Sequence, residues 1–187
     1  MRVLFVGNYR GNSGPNNVNK SMIESCEGRF NYIKSQNKYL QYIEVLLKIL
    51  FCKVVVISGI SGIGLFSIKL SKKFNKKSVY IIHGCVAYEA KINELKNMDS
   101  AIQAEEKLLK FADLVLPVSK KFSEWMKVRY PQYAHKIKYL FNGVNKQVYE
   151  NNCDKKHGYI VAVGGDRQIK NNLTLSKAVS RLNGKVK

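Results

Sequence analysis

One recurring unit constrains this chain more than any other feature: a short unbroken apolar run, then a glycine or polar turn, then a stretch at helical spacing. The runs are Val3 to Val6, Lys53 to Ser58, Ser78 to Ile82, Asp113 to Pro117, Ile137 to Phe141 and Tyr159 to Val163, with a shorter one at Phe30 to Ile33. Strands apolar at nearly every position are buried on both faces. Alternating them with helices gives a parallel sheet covered by helices. The expected fold is therefore α/β: a doubly wound, Rossmann-like parallel sheet of about six strands before residue 145.

Helical spacing assigns the stretches between. Val18 to Cys26 carries Val18, Met22 and Ile23 on one face, with Asn16 or Asn17 as its N-cap. Lys38 to Leu50 repeats Leu40, Ile43, Leu47 and Leu50, which are expected to face the core. Helices are also expected over Ser61 to Asn75, over Asn93 to Phe111 with Glu105 and Glu106 toward solvent, and over Lys120 to Tyr130, capped by Ser119 and closed by Pro131. The aromatics Tyr39, Tyr42, Tyr80 and Phe111 fall at positions expected in the core. The polar, lysine-flanked stretch 146–157 reads as a linker between a first domain, 1–145, and the start of a second, 158–187. One strand and one helix cannot bury a core alone, so that second domain is expected to be incomplete.

Charge narrows the function. The chain has 187 residues, with 32 Lys and Arg against 13 Asp and Glu, a formal net charge of +19. Such an excess suits anionic partners: a phosphorylated substrate, an anionic membrane face or nucleic acid. The general abundance of Lys, Asn and Ile offers a compositional origin for the same excess. Cys26, Cys52, Cys85 and Cys153 are irregularly spaced with no C-x-x-C pair, which fits neither a disulfide framework nor a zinc site and suits a reducing compartment. No metal is expected. The apolar start, Val3 to Val6, is too short for a signal peptide, and the stretch Ile43 to Ile57 is broken by Lys48 and Lys53. The chain reads as cytoplasmic, or as peripheral at the inner face of a membrane through the lysines at 69, 72, 73, 76 and 77.

Chemistry concentrates where strands end. Tyr159 to Val163 runs into Gly164-Gly165 and then a polar segment with Arg167 and Lys170. Backbone N–H groups left free at a helix start can face an anion, and Arg with Lys is a common pairing for a diphosphate. Two solvated cations after a tight turn are the structural alternative. Val3 to Val6 runs into a long loop containing Ser13 and Gly14, without the strict G-x-G-x-x-G spacing, which disfavours a dinucleotide dehydrogenase. Ser78 to Ile82 delivers His83-Gly84, at the strand end where open α/β sheets bind ligands.

Four pieces in order resemble the retaining glycosyltransferases of family 4, the group 1 transferases: Ile81-Ile82-His83-Gly84, Ala112 to Ser119, Phe141-Asn142-Gly143-Val144, and Val163-Gly164 with Arg167 and Lys170. That family has the GT-B fold of two facing Rossmann-like domains. The resemblance implies that 1–145 is the GT-B N-terminal, acceptor-side domain and that 158–187 is the first strand and helix of the nucleotide-sugar domain. It implies Arg167 and Lys170 on the donor diphosphate, Ser13, Gly14, Gly164 and Gly165 beside it, and His83 on the transferred sugar. Arg and Lys there would stabilise the negative charge growing on the departing phosphate. The implied reaction moves a sugar from a nucleotide-diphosphate donor to a cell-surface glycan or lipid-linked acceptor with retention, without cofactor or metal. Gly165 stands where the family more often has an arginine, and Asn145 where it usually has an aspartate. The family's spaced acidic pair would fall beyond Lys187, so the chain is expected to be the amino-terminal part of a transferase, binding donor weakly and inactive alone. The alternative reading is a non-catalytic basic α/β module for anionic membrane or nucleic acid. Nucleic acid is not expected, because no recognition motif is present.

Overall fold

The computed structural model describes residues 2–26, 28–96, 98–143, 160, 162 and 170–181. Strand β1 (Val3–Gly7) leads to helix α1 (Gly14–Ser25), then β2 (Phe30–Tyr32), α2 (Lys38–Leu50), β3 (Val54–Ser58), α3 (Gly62–Lys73) and β4 (Lys77–Ile82). Two helices follow, α4 (Val86–Ile92) and α5 (Asp99–Phe111), then β5 (Leu114–Pro117), α6 (Lys120–Arg129) and a 3-10 turn over Pro131–Lys136. A last helix, α7 (Asn172–Ser180), comes after the segment outside the described residues.

The five strands pair in parallel in the order β2-β1-β3-β4-β5. This is a Rossmann-like α/β sheet, as the buried apolar runs require. Right-handed crossovers put a helix on one face when the chain moves one way along the sheet and on the other face when it moves back. The packing follows that rule. Met22 and Ile23 of α1 pack on one face, against Phe5, Val56 and Ile81. Val45, Ile49, Ile68, Leu108, Leu109 and Met126 cover the other face, against Leu4, Val6, Val55, Ile57 and Tyr80. The expected strand at Ile137 to Phe141 is reduced to an edge segment: Ile137 bridges Val115 in parallel, and the amides of Lys138 and Leu140 donate to the Val115 and Pro117 carbonyls, each at 3.0 Å. Ile137 is buried, whereas Tyr139, Leu140 and Phe141 are exposed, so beyond the first residue the segment is held by backbone hydrogen bonds and not by core packing.

Helix α2 has the expected bounds but the wrong face inward. Val45 and Ile49 are fully buried, while Leu40, Ile43, Leu47 and Leu50 are each about half exposed. The helix carries two apolar stripes, and spacing alone does not say which one packs. The sheet beneath is narrow, since β2 has three residues and none is fully buried. Contact is therefore made by Val45, Ile49 and Tyr42, whose ring meets Phe66 of α3 edge-on at 5.0 Å. Tyr39, 80% exposed, and Phe111, 39% exposed, are likewise outside the core, whereas Tyr80 is inside it.

The start of α1 also departs from expectation. Ser13, extended at φ −75°, is the N-cap and accepts from the Asn16 amide at 3.3 Å; Asn16 and Asn17 lie inside the first turn. At the opposite end of the sheet, Asp113 accepts from the Ser78 amide at 2.7 Å, the Ser78 hydroxyl at 2.9 Å and the Lys72 ammonium at 2.7 Å, tying the start of β5 to that of β4. Burial alone would raise its pKa, but those donors outweigh burial and hold it below the usual carboxylate range. In the ordered motif Ala112 to Ser119, this aspartate is an architectural residue. Cys26, Cys52 and Cys85 are free thiols.

The two stripes of α2 give a direct test. Ile49→Ala should cost about 2–5 kcal/mol in urea unfolding, and Leu47→Ser about 0.5 kcal/mol or less. Equal costs would contradict the packing.

Candidate functional site

The carboxyl ends of β1, β3 and β4 form one rim. Gly7 ends β1 opposite Ser58, which ends β3. A Cβ on Gly7 would stand 2.9 Å from Ser58 Cβ and 3.1 Å from Asn19 Nδ2, so only glycine lets these groups close up. In the space gained, the Ser58 hydroxyl donates to Asn19 Oδ1 at 2.6 Å, and Asn19 Nδ2 donates to the Asn8 carbonyl at 2.7 Å. On its other side Ser58 Oγ meets His83 Nε2 at 2.8 Å. Asn19 and Ser58 are buried polar residues, and each is satisfied here. Burial lowers the His83 pKa, so the imidazole is neutral at neutral pH.

Loop 8–13 is held by its own arginine. The Arg10 guanidinium donates to the Ser35 carbonyl at 3.1 Å, to the Tyr9 hydroxyl at 2.9 Å and to the Lys34 carbonyl. Tyr9 in turn donates to the Ile33 carbonyl at 3.1 Å. Beside this loop lies a cavity of about 550 Å³ lined by Gly7, Asn8, Arg10, Gln36, Gln41 and Ser61 among others. It sits between β1 and β3, where the strand order reverses, the place where sheets of this order bind ligands. Gly14, which starts α1 after the N-cap Ser13, is five residues before Asn19, roughly 7.5 Å along the helix axis. Ser13 and His83 are thus on one rim. Pro15 has no N–H and the Asn16 amide is taken by Ser13, so that helix start offers an anion the Gly14 amide and the Ser13 hydroxyl proton.

A second cavity, of about 470 Å³, adjoins His83 and is walled by Tyr88, Phe122 and Trp125, with Glu89 and Lys121 at its edge. Trp125 meets Tyr88 edge-on at 5.0 Å and stacks on Phe122 at 6.0 Å. A side chain at Gly84 would overlap the Glu89 carboxylate. The loop from His83 to Cys85 is fixed from below by Glu105. This carboxylate, placed on the solvent side by the sequence reading, is buried and accepts from the Val86 amide at 2.9 Å and the Ala87 amide at 3.2 Å. It caps α4, whose N-cap residue Cys85 makes no side-chain cap. Burial raises its pKa, against the lowering effect of the two amides. Burial, then the Glu105 charge, raises that of Tyr80, whose buried hydroxyl has no hydrogen-bond partner among the described residues. The missed signal was phase: Glu105 shares a helical face with Leu108, Leu109 and Ala112, all buried.

Of the remaining expected site residues, Lys170 is exposed and immediately precedes Asn171, in the left-handed region at φ 51°, and α7. Ile160 and Ala162 line a groove with Leu175 and Val179 of that helix. Gly164, Gly165, Arg167 and the 146–157 linker lie outside the described residues. Among the described residues, no three His, Cys, Asp or Glu side chains come together to hold a metal.

No family model and no curated protein matches the chain. Among solved structures it is similar to one described as a putative UDP-N-acetylglucosamine 2-epimerase from Listeria monocytogenes, at 9% identity and a TM-score of 0.46, covering 73% of this chain and 43% of that one. It is similar also to the UDP-GlcNAc 2-epimerase from Methanocaldococcus jannaschii, at 14% identity and a TM-score of 0.43, covering 74% of this chain and 45% of that one. The chain thus spans less than half of either, and neither likeness is high enough to carry a functional conclusion.

Removing the Glu105 carboxylate should unseat the His83 loop. Glu105→Ala leaves two amides unpaired and should cost about 2–4 kcal/mol in denaturant unfolding, with Glu105→Gln costing less. Parity between Glu105→Ala and the wild-type chain would show that the cap is not needed.

Proposed function

We propose that this chain is the acceptor-side part of a retaining glycosyltransferase, with the carboxyl rim of β1, β3 and β4 as its half of the catalytic crevice. The observation that carries the reading is that the Ser13-Gly14 helix start, after β1, and His83, after β4, lie at the same carboxyl rim of one parallel sheet. The motifs that resemble family 4 transferases supply the chemistry. His83-Gly84 ends β4, and Asn142-Gly143 follows the edge segment paired with β5.

In this reading the donor diphosphate lies over the rim, near the Gly14 amide and the Ser13 hydroxyl. Arg167 and Lys170 approach it from the second domain, with Gly164 and Gly165 allowing close backbone contact. As the bond from sugar to phosphate breaks, charge grows on the phosphate oxygens, and fixed cations stabilise that state more than the starting one. His83, neutral and half-buried, contacts the sugar without adding charge. The aromatic-walled cavity beside it suits a sugar ring of the acceptor, because flat apolar faces stack on Trp and Tyr.

A second, compatible reading is attachment to an anionic membrane surface. The outward stripe of α2 is apolar, and the Lys76 ammonium donates to the Leu50 carbonyl at 3.2 Å, which sets the lysine cluster at the end of that stripe. An apolar face bordered by cations is the usual pattern of an interfacial helix. Lys72 is committed to Asp113, so attraction would fall to its neighbours. Among the described residues no helix is long and apolar enough to cross a membrane.

Two measurements test these readings. With the chain carried through any continuation of its reading frame, one member of a nucleotide-sugar panel should release nucleoside diphosphate, and Arg167→Ala should lower kcat by about 10²–10³-fold. Absence of release with every donor, or an unaffected Arg167→Ala variant, would count against transfer. In co-sedimentation, vesicles containing phosphatidylglycerol should retain the chain and neutral vesicles should not, with Leu47→Ser weakening retention. Equal retention by both kinds would remove the electrostatic basis.

A further inference from the structure

We propose that Asn19 and Ser58 are positioning residues that fix the tautomer of His83, keeping Nε2 protonated and leaving Nδ1 as a bare acceptor. The inference deepens the transferase reading and rests on it only for its use in catalysis. Its foundation is the direction of a hydrogen-bond chain that begins at a group able to do one thing only.

The Asn8 carbonyl accepts and cannot donate, so the Asn19 atom 2.7 Å from it is the amide nitrogen. Turning the Asn19 amide over would bring two oxygens together at that distance. Asn19 Oδ1 therefore faces Ser58, and at 2.6 Å it must receive the Ser58 hydroxyl proton. With its proton spent, Ser58 Oγ has only lone pairs to offer His83 Nε2 at 2.8 Å, so the ring nitrogen is the donor. Neutral imidazole holds one N–H, which leaves Nδ1 unprotonated. Among the described residues no hydrogen bond reaches Nδ1. Gly7 belongs to the same device, since any side chain there would drive Asn19 and Ser58 apart.

The consequence is chemical selectivity. An unprotonated nitrogen accepts from a hydroxyl and repels a phosphate oxygen. His83 so arranged suits a sugar hydroxyl and is unsuited to the diphosphate, which has to be met by other groups on the rim. The relay would thereby sort the two halves of a nucleotide sugar.

Long-range proton–nitrogen NMR of the labelled chain reads tautomers directly. The chain has three histidines; the variants His135→Gln and His157→Gln assign His83 by elimination. At a pH above the imidazole range, His83 should show a protonated-type Nε2 and an unprotonated-type Nδ1. Asn19→Ala removes the acceptor of the Ser58 proton, freeing that hydroxyl to turn and donate to His83. The Nδ1–H tautomer should then gain on the order of tenfold in population. A wild-type ring protonated on Nδ1, or an Asn19→Ala ring with the wild-type pattern, would overturn the proposal. The wild-type measurement does not depend on the Asn19→Ala variant folding. Neither result bears on nucleoside diphosphate release, so this inference and the transferase reading fail separately.

Discussion

At the carboxyl ends of β1 and β3, Gly7 faces Ser58 across the ladder, closer than any side chain on Gly7 would allow. The candidate site depends on that approach. Because the two strands close up at their carboxyl ends, Asn19 of α1 reaches over β1 to Ser58, and Ser58 reaches on to His83 at the end of β4. Three elements that come from distant parts of the sequence are fixed to one another by two short hydrogen bonds in a buried setting. Such bonds are costly to leave unmade, so the rim is held as a unit.

The same rim is braced from both flanks. On the β2 side, Arg10 donates from its guanidinium to the carbonyls of Lys34 and Ser35 and to Tyr9, which shapes the cavity at the β1–β3 reversal. On the β5 side, buried Glu105 receives the first amides of α4 and holds the His83 turn from below. A carboxylate there carries an electrostatic cost, visible in its raised pKa and that of Tyr80, and two amide donors offset part of it. The opposite end of the sheet is fastened by Asp113 with Ser78 and Lys72. Structural acidic residues thus sit at both ends of the sheet, while the chain from Asn19 through Ser58 to His83 is built of polar side chains other than carboxylates.

Much of the fold was legible because it rests on apolar runs. Strands β1 and β3 to β5 were visible as unbroken runs, and Ser119 and Ser61 were readable as helix starts. Where one stretch held two solutions, the sequence reading went wrong. Helix α2 has two apolar stripes, and the narrowness of the sheet at β2, a tertiary fact, selects Val45 and Ile49. Glu105 was placed outward by its charge although its phase matched Leu108 and Leu109; two unpaired amides at α4 outweighed the charge. The short helix α4 was not foreseen, since seven residues with no capping side chain leave little local trace. The sequence reading put His83 after a strand and Ser13 and Gly14 in the segment after β1, and those are their positions in the fold. Asn19 and Ser58 were not, because a relay through side chains far apart in sequence has no local pattern. Gly164, Gly165 and Arg167 lie outside the described residues.

The placement of the site at the carboxyl rim is tested most directly by amide chemical-shift mapping of the labelled chain during titration with a nucleotide-diphosphate sugar. Shifts should cluster at Gly7 to Gly14, at Ser58 and Gly59, and at His83 to Val86, the three tips that the sheet brings together. Shifts confined to the lysines at the far end of α3, or spread evenly over the basic surface, would contradict it.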